Sequence, residues 1–209
     1  MTLSIHRFYL VLPIIVLSAC STIGHQLSTT NNSITPSSTW DAQKNTADAL
    51  DAWILRGRLV LSDGHEKNAS NLFWKQTTDQ YQIQLAGPVG LGRVKLTGDA
   101  QHVQVTSSQG KKSFDSLEYA QRYYRLPNIP VNQLHYWVRG LPYPLSPVIG
   151  FKQNDNGFPL ELTQDQWHVT LSNYRLTNGL TMPSKVALRK QIGTKRLSVS
   201  LDILSWTID

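Results

Sequence analysis

The residue with the most definite chemistry is Cys20, the only thiol among 209 residues. It closes Leu17–Ser18–Ala19–Cys20, which has the form of a bacterial lipobox. In that motif the thiol is acylated and the cysteine becomes the first residue of the mature chain. A lone thiol forms no intrachain disulfide, so stability must come from packing. Upstream, behind His6 and Arg7, Leu10 to Ala19 form an apolar run. It fits the ~7–15 residues of a signal-peptide core and falls short of the roughly 20 needed to span a bilayer. An ordinary secretory signal would carry the same run. The fit of all four residues and the lack of a competing cysteine favour acylation of Cys20 after removal of residues 1–19.

Other reactive patterns are incomplete. His65–Glu66 opens a zinc-protease-like motif, but Ala69 stands where the second histidine belongs. There is no Gly-x-Ser-x-Gly elbow and no glycine-rich phosphate loop with its lysine. His102, His135 and His168 fall within regular elements and read as surface or packing residues. The expectation is a protein with no catalytic residues, no metal and no cofactor.

Residues 20–39 then read as a lipidated flexible tether. Ser21 to Thr39 is polar, aperiodic and poor in large apolar residues, so it cannot offset its ordering entropy by burial. A coil of this length reaches on the order of 25 Å, and ~60 Å drawn out. Serine after the lipidated cysteine, where aspartate signals inner-membrane retention, points to the outer membrane. The formal net charge of +6 falls to +5 once Arg7 is removed with the signal. No basic run exceeds two residues, as at Lys111–Lys112, so the cations read as evenly scattered and nucleic acid is not expected as a partner.

Residues 40–209 must supply the fold. Trp40, Ala47, Leu50 and Trp53 fall near helical spacing, which predicts a helix over roughly 40–51. From Leu55 the period changes to two. Leu55, Gly57, Leu59 and Leu61 form one face, and the alternation recurs through Leu72–Trp74, Tyr81–Leu85, Val94–Leu96 and Val103–Val105. Asp115 to Glu118 resembles a capping box opening a second helix, and Pro130 opens a third that Gly140 closes. Alternation then resumes to Leu197–Ile203. The chain is mainly β with few α: about 10–11 antiparallel strands and about three helices. A sheet this wide must curl, giving an incomplete, half-closed barrel. Periodicity fits both a filled core and a hollow one.

If hollow, the inward positions Leu59, Trp74, Ile83, Leu85, Val94, Leu96, Val103, Leu134, Trp137, Trp167 and Val169 are the candidate lining of an apolar cavity able to hold acyl chains. The loop Gly87–Pro88–Val89–Gly90–Leu91–Gly92 carries two aliphatic residues where a hairpin tip is normally polar. Pro88, Val89, Gly90 and Leu91 therefore read as an apolar tip to be buried in lipid or a partner, with either Val89 or Leu91 outermost, unless one of them folds back onto the sheet.

Several segments resemble the LolB family of outer-membrane lipoproteins: the lipobox, Leu72–Phe73–Trp74–Lys75–Gln76, Gly87–Pro88–Val89–Gly90, and Trp137–Val138–Arg139–Gly140–Leu141–Pro142. The resemblance implies a half-open barrel with helices over an apolar cavity. It implies an outer-membrane anchor facing the periplasm, a monomer that receives lipoproteins from the soluble carrier LolA. It would bind their acyl chains and pass them into the inner leaflet of the outer membrane. In the family a leucine after the loop proline serves insertion, so the resemblance implies that Pro88, Val89, Gly90 and Leu91 form a membrane-insertion loop; here Val89 holds the leucine's place, with Leu91 two residues on. A lipoprotein scaffold that binds a protein partner without lipid cargo would share the anchor and the strands.

Overall fold

The computed structural model describes residues 39–87 and 92–208. The signal run, Cys20, the tether up to Ser38 and the loop Pro88–Leu91 lie outside the described residues. The first described element is helix α1, Thr39–Asp48. It ends earlier than its spacing predicts because Ala52 pairs with Thr77 and starts a strand there. Trp53 thus belongs to the sheet.

Among the described residues, one antiparallel sheet contains all eleven strands. Strands β1 (Ala52–Ser62), β2 (Lys67–Thr77), β3 (Gln80–Ala86), β4 (Val94–Gly98), β5 (Val103–Ser107) and β6 (Gly110–Phe114) meander outward to one edge. The chain then forms α2 (Leu117–Tyr123) and α3 (Val131–Trp137) and restarts at the other edge. Strands β7 (Gly150–Gln153), β8 (Pro159–Gln164), β9 (Trp167–Thr177), β10 (Leu180–Ile192) and β11 (Lys195–Ile208) bring it back to β1. The edges β6 and β7 do not meet, so the sheet is a curled, unclosed barrel. This is the mainly β architecture the alternation predicts.

The last strand departs from simple alternation. Leu197, Val199, Leu201 and Ile203 are buried, whereas Leu204 is 73% exposed. The β1–β11 register slips between Arg56, opposite Ser205, and Gly57, opposite Ile203. This one-residue bulge flips the phase, so Trp206 and Ile208 also pack on the core. Gly57 is required opposite it. A Cβ there would lie 2.5 Å from the Asp202 carbonyl oxygen.

Helix ends follow local chemistry. Ser116, rather than Asp115, caps α2: its hydroxyl accepts the Tyr119 N–H at 3.1 Å. After α3, Gly140 adopts φ +78°. Its N–H donates to Trp137 O and the Leu141 N–H to Tyr136 O, the paired bonds of a Schellman ending. Arg139 is buried, with Nη1 donating to the Ala47 and Asp48 carbonyls at 2.7 and 3.2 Å. It caps the C-terminus of α1, where helix carbonyls favour a cation.

Candidate functional site: an apolar cavity at one end of the barrel

The turns fall at two ends. The β1–β2, β3–β4, β5–β6, β8–β9 and β10–β11 connections share one end because successive strands alternate direction. At this end the sheet is hollow, with a cavity of about 640 Å³, inside the roughly 300–1,000 Å³ range of ligand pockets. Its walls are Leu59 and Leu61 of β1, Leu72 and Trp74 of β2, Ile83 and Leu85 of β3, Val94 and Leu96 of β4, and Val105 of β5. The cover is Leu117, Ala120 and Gln121 of α2, the following Tyr124, Leu126, Pro127 and Ile129, and Val131 and Leu134 of α3. Polar groups sit toward the turns: Asp63, Glu66, Asn68 and Ser107 to Gln109.

Aromatic packing fills the barrel deeper in. Trp53 lies 5.1 Å from the Trp74 ring, 5.2 Å from Trp206 and 5.6 Å from His135, on which it stacks. His135 Nε2 is buried without a hydrogen-bond partner among the described residues. Burial, helped by nearby Arg139, lowers the His135 pKa from 6.5 to about 4. Between those two values the unfolded chain binds a proton that the native chain refuses. This contribution to stability is therefore complete above pH ~6.5 and is lost as pH falls toward 4. His135→Phe keeps an aromatic ring against Trp53 and removes the titration. Thermal unfolding at pH 7 and pH 5 should show a smaller acid loss in this variant than in wild type.

Seven of the sequence-derived positions surround the cavity: Leu59, Trp74, Ile83, Leu85, Val94, Leu96 and Leu134. The other four do not line it. Val103 is buried where β5 pairs with Gly98 and Phe114, away from the open end, and Val105 takes the wall position instead. Trp137, Trp167 and Val169 are buried in the core cluster on the β8–β10 half. There Trp137 donates from Nε1 to Gln164 Oε1 at 2.9 Å. Gln164 is fully buried; its Oε1 also accepts the Tyr143 N–H, and its Nε2 donates to the Tyr143 and Ser146 carbonyls. One side chain thus supplies the polar partners for a proline-rich segment, which fixes α3 on that half of the sheet. Gln164→Leu leaves several of these groups unpaired, at ~1–3 kcal/mol each before relaxation. A loss of about 3 kcal/mol is expected, a fall in Tm of roughly 6–12 °C by calorimetry.

Alternation could not show the part played by α2. Ala120 and Gln121 are buried against the cavity. The Gln121 Nε2 donates to Ile129 O at 3.1 Å, while its Oε1 is buried without a partner among the described residues. Pro88, Val89, Gly90 and Leu91 lie outside the described residues. Their flanks are fixed, since β3 and β4 both line the cavity and Gly92 stands at its open end.

Residues 51–206 match the family model for the outer membrane lipoprotein LolB. An outer-membrane lipoprotein LolB of Cellvibrio japonicus is 32% identical over 180 residues, covering 84% of this chain and 87% of the relative. One from Pseudomonas putida is 33% identical over 168 residues, covering 80% of each chain. One from Chromohalobacter salexigens is 32% identical over 149 residues, covering 71% and 69%. Among solved structures, a LolA superfamily protein from Nitrosomonas europaea superposes with a TM-score of 0.52 over 82% of this chain and 94% of its own, at 7% identity. That likeness is one of fold.

Proposed function

The chain belongs to the LolB family of outer-membrane lipoproteins, whose role is lipoprotein localisation rather than enzyme chemistry, and from that premise we propose that its cavity binds the acyl chains of lipoproteins in transit. The acceptor is held at the outer membrane through acylated Cys20, takes its cargo from the periplasmic carrier LolA, and releases it into the inner leaflet. The observation that carries this reading is a hollow of about 640 Å³ with an aliphatic wall, at the end of the barrel where β3 ends and β4 begins. Empty apolar walls forgo burial energy, about 25 cal/mol per Å². An acyl chain supplies the missing contacts.

The direction of transfer needs no nucleotide. Cargo moves if its acyl chains interact better with this cavity than with the carrier, and better still with the bilayer. Gln121 Oε1, buried beside the cavity and unpartnered among the described residues, offers an acceptor to a donor at the polar end of the cargo. The test is a transfer assay. Unacylated protein given LolA loaded with a lipoprotein should strip the lipoprotein from it, and a fluorescent fatty acid should compete for the same site. Protein that takes up neither is a scaffold, and the reading fails.

A further inference from the structure

The cations are not evenly scattered. Lys67, Arg93, Lys95, Arg189, Lys195 and Arg196 all stand beside the turns at the cavity end, and five of the six are exposed. The carboxylates at that end are Asp63, Glu66 and Asp165. Asp63 accepts the His65 and Glu66 N–H groups of its own turn. The opposite end carries Asp51 before β1, Asp79, Asp99 and Asp155 in its turns, and Asp115 after β6, with Lys75 and Arg175 the strand cations near them. Two carboxylates in the strands between are paired, Glu161 with Lys152 at 2.8 Å and Asp202 with Lys185 at 3.6 Å. The barrel is therefore electrically polar along its strands, basic at the cavity mouth and acidic at the closed end.

A second feature lies in the basic end. Between the β1–β2 and β10–β11 turns is an open recess of about 370 Å³, lined by His65, Gln191, Thr194, Lys195 and Arg196 together with Asp63 and Gly64. It presents two cations and several hydrogen-bonding groups at one spot, a chemistry suited to a phosphate ester.

We propose that the mouth end is a docking face for the anionic phospholipids of the bilayer, and that this attraction turns the cavity toward the membrane. The inference rests on the membrane-facing role proposed above and adds the lipid chemistry that orients it. Several strands around the mouth contribute a cation, an arrangement that meets a plane of headgroups better than a single acidic patch on a protein. A tether reaching tens of ångströms lets the domain adopt either orientation, so a bias is needed. Each cation near an anionic surface shifts the balance roughly fivefold at low ionic strength, and salt screens it over ~10 Å at 0.1 M.

The experiment uses the acylated protein anchored in vesicles, without cargo. Because Cys20 is acylated, Thr194→Cys and Asn178→Cys each add the one labelling thiol, at the mouth and at the closed end respectively. Lipid-borne quenchers report which end touches the bilayer. The label at position 194 should be quenched several-fold more in phosphatidylethanolamine vesicles doped with phosphatidylglycerol than in phosphatidylethanolamine alone. Tenfold higher salt, or Lys67→Glu/Lys195→Glu/Arg196→Glu, should abolish that difference; circular dichroism confirms the fold of the variant. The label at position 178 should stay unquenched throughout. Quenching at position 194 that ignores phosphatidylglycerol and salt overturns the proposal, as does preferential quenching at position 178. If the triple variant loses only uptake from LolA and keeps its lipid-dependent quenching, the basic end is a carrier face and the proposal is wrong. Without cargo, the quenching result stands apart from whether transfer occurs.

Discussion

Protein carrying Ser70→Trp and Val94→Trp should bind a fluorescent fatty acid roughly a hundredfold more weakly than wild type while unfolding within about 3 °C of it. Both positions line the cavity and both are half-buried. Ser70 faces Leu59 across β1 and β2, and Val94 faces Leu85 across β3 and β4. Two indoles there occupy space that an acyl chain would take. Excluding about four methylenes, at ~0.8 kcal/mol each, forfeits some 3 kcal/mol of binding. In a filled core the same changes would overpack, shifting neighbours at ~1–3 kcal/mol each. Here the added rings enter empty volume, so stability is nearly unchanged. The pairing of lost binding with retained stability separates a ligand cavity from a packing defect. Unchanged affinity for the fatty acid would mean that the hollow is not where acyl chains go.

Why the described residues leave this hollow beside β1 to β5 is a matter of side-chain size, and much of it can be read along the strands. Along β1 to β6 the inward positions toward the cavity mouth include Leu, Val, Ile and Ser, whereas those farther from it include Trp53, Trp74, Gln76, Tyr81 and Phe114; on the other half Gln164 and Trp167 are bulky and buried at the mouth end itself. Period-two alternation locates the strands and the inner face because each inward residue meets a common core. It does not say which half of that core is filled. That depends on where the helices land, and α3 lands on β8 because Gln164 takes Trp137 and the Tyr143–Ser146 backbone as partners. A polar residue at an inward strand position is a visible clue, yet its partners lie 18 to 27 residues away in sequence. Trp137, Trp167 and Val169 consequently look like lining and are packing. The bulge at Leu204 is equally hidden, since a one-residue slip answers to the neighbouring strand and not to local composition. The separation of charge between the two ends is the reverse case. No run of like residues marks it, and only the folding of alternate turns onto the same end gathers the cations.

The second large effect is expected from Val89→Glu/Leu91→Glu. This variant should take lipoprotein from LolA at the wild-type rate and fail to deliver it to liposomes, with transfer down by at least a hundredfold. The segment joins β3 to β4, whose described residues line the cavity. Two aliphatic side chains entering lipid contribute at most ~1.5–3 kcal/mol each, and carboxylates in their place are resisted by both the hydrocarbon and an anionic surface. The sum spans roughly two to four decades in rate if insertion of the loop limits release. The single variants Val89→Glu and Leu91→Glu then identify the tip, since the inserting residue alone should account for most of the loss. The basic mouth bears on the same step from another direction. Attraction to headgroups lowers the cost of bringing the loop to the surface, but only apolar side chains gain from going below it. High salt should therefore slow delivery by wild-type protein without stopping it, whereas the double variant should be inactive at every ionic strength. Normal delivery by the double variant would show that the cavity mouth empties into the membrane without the loop.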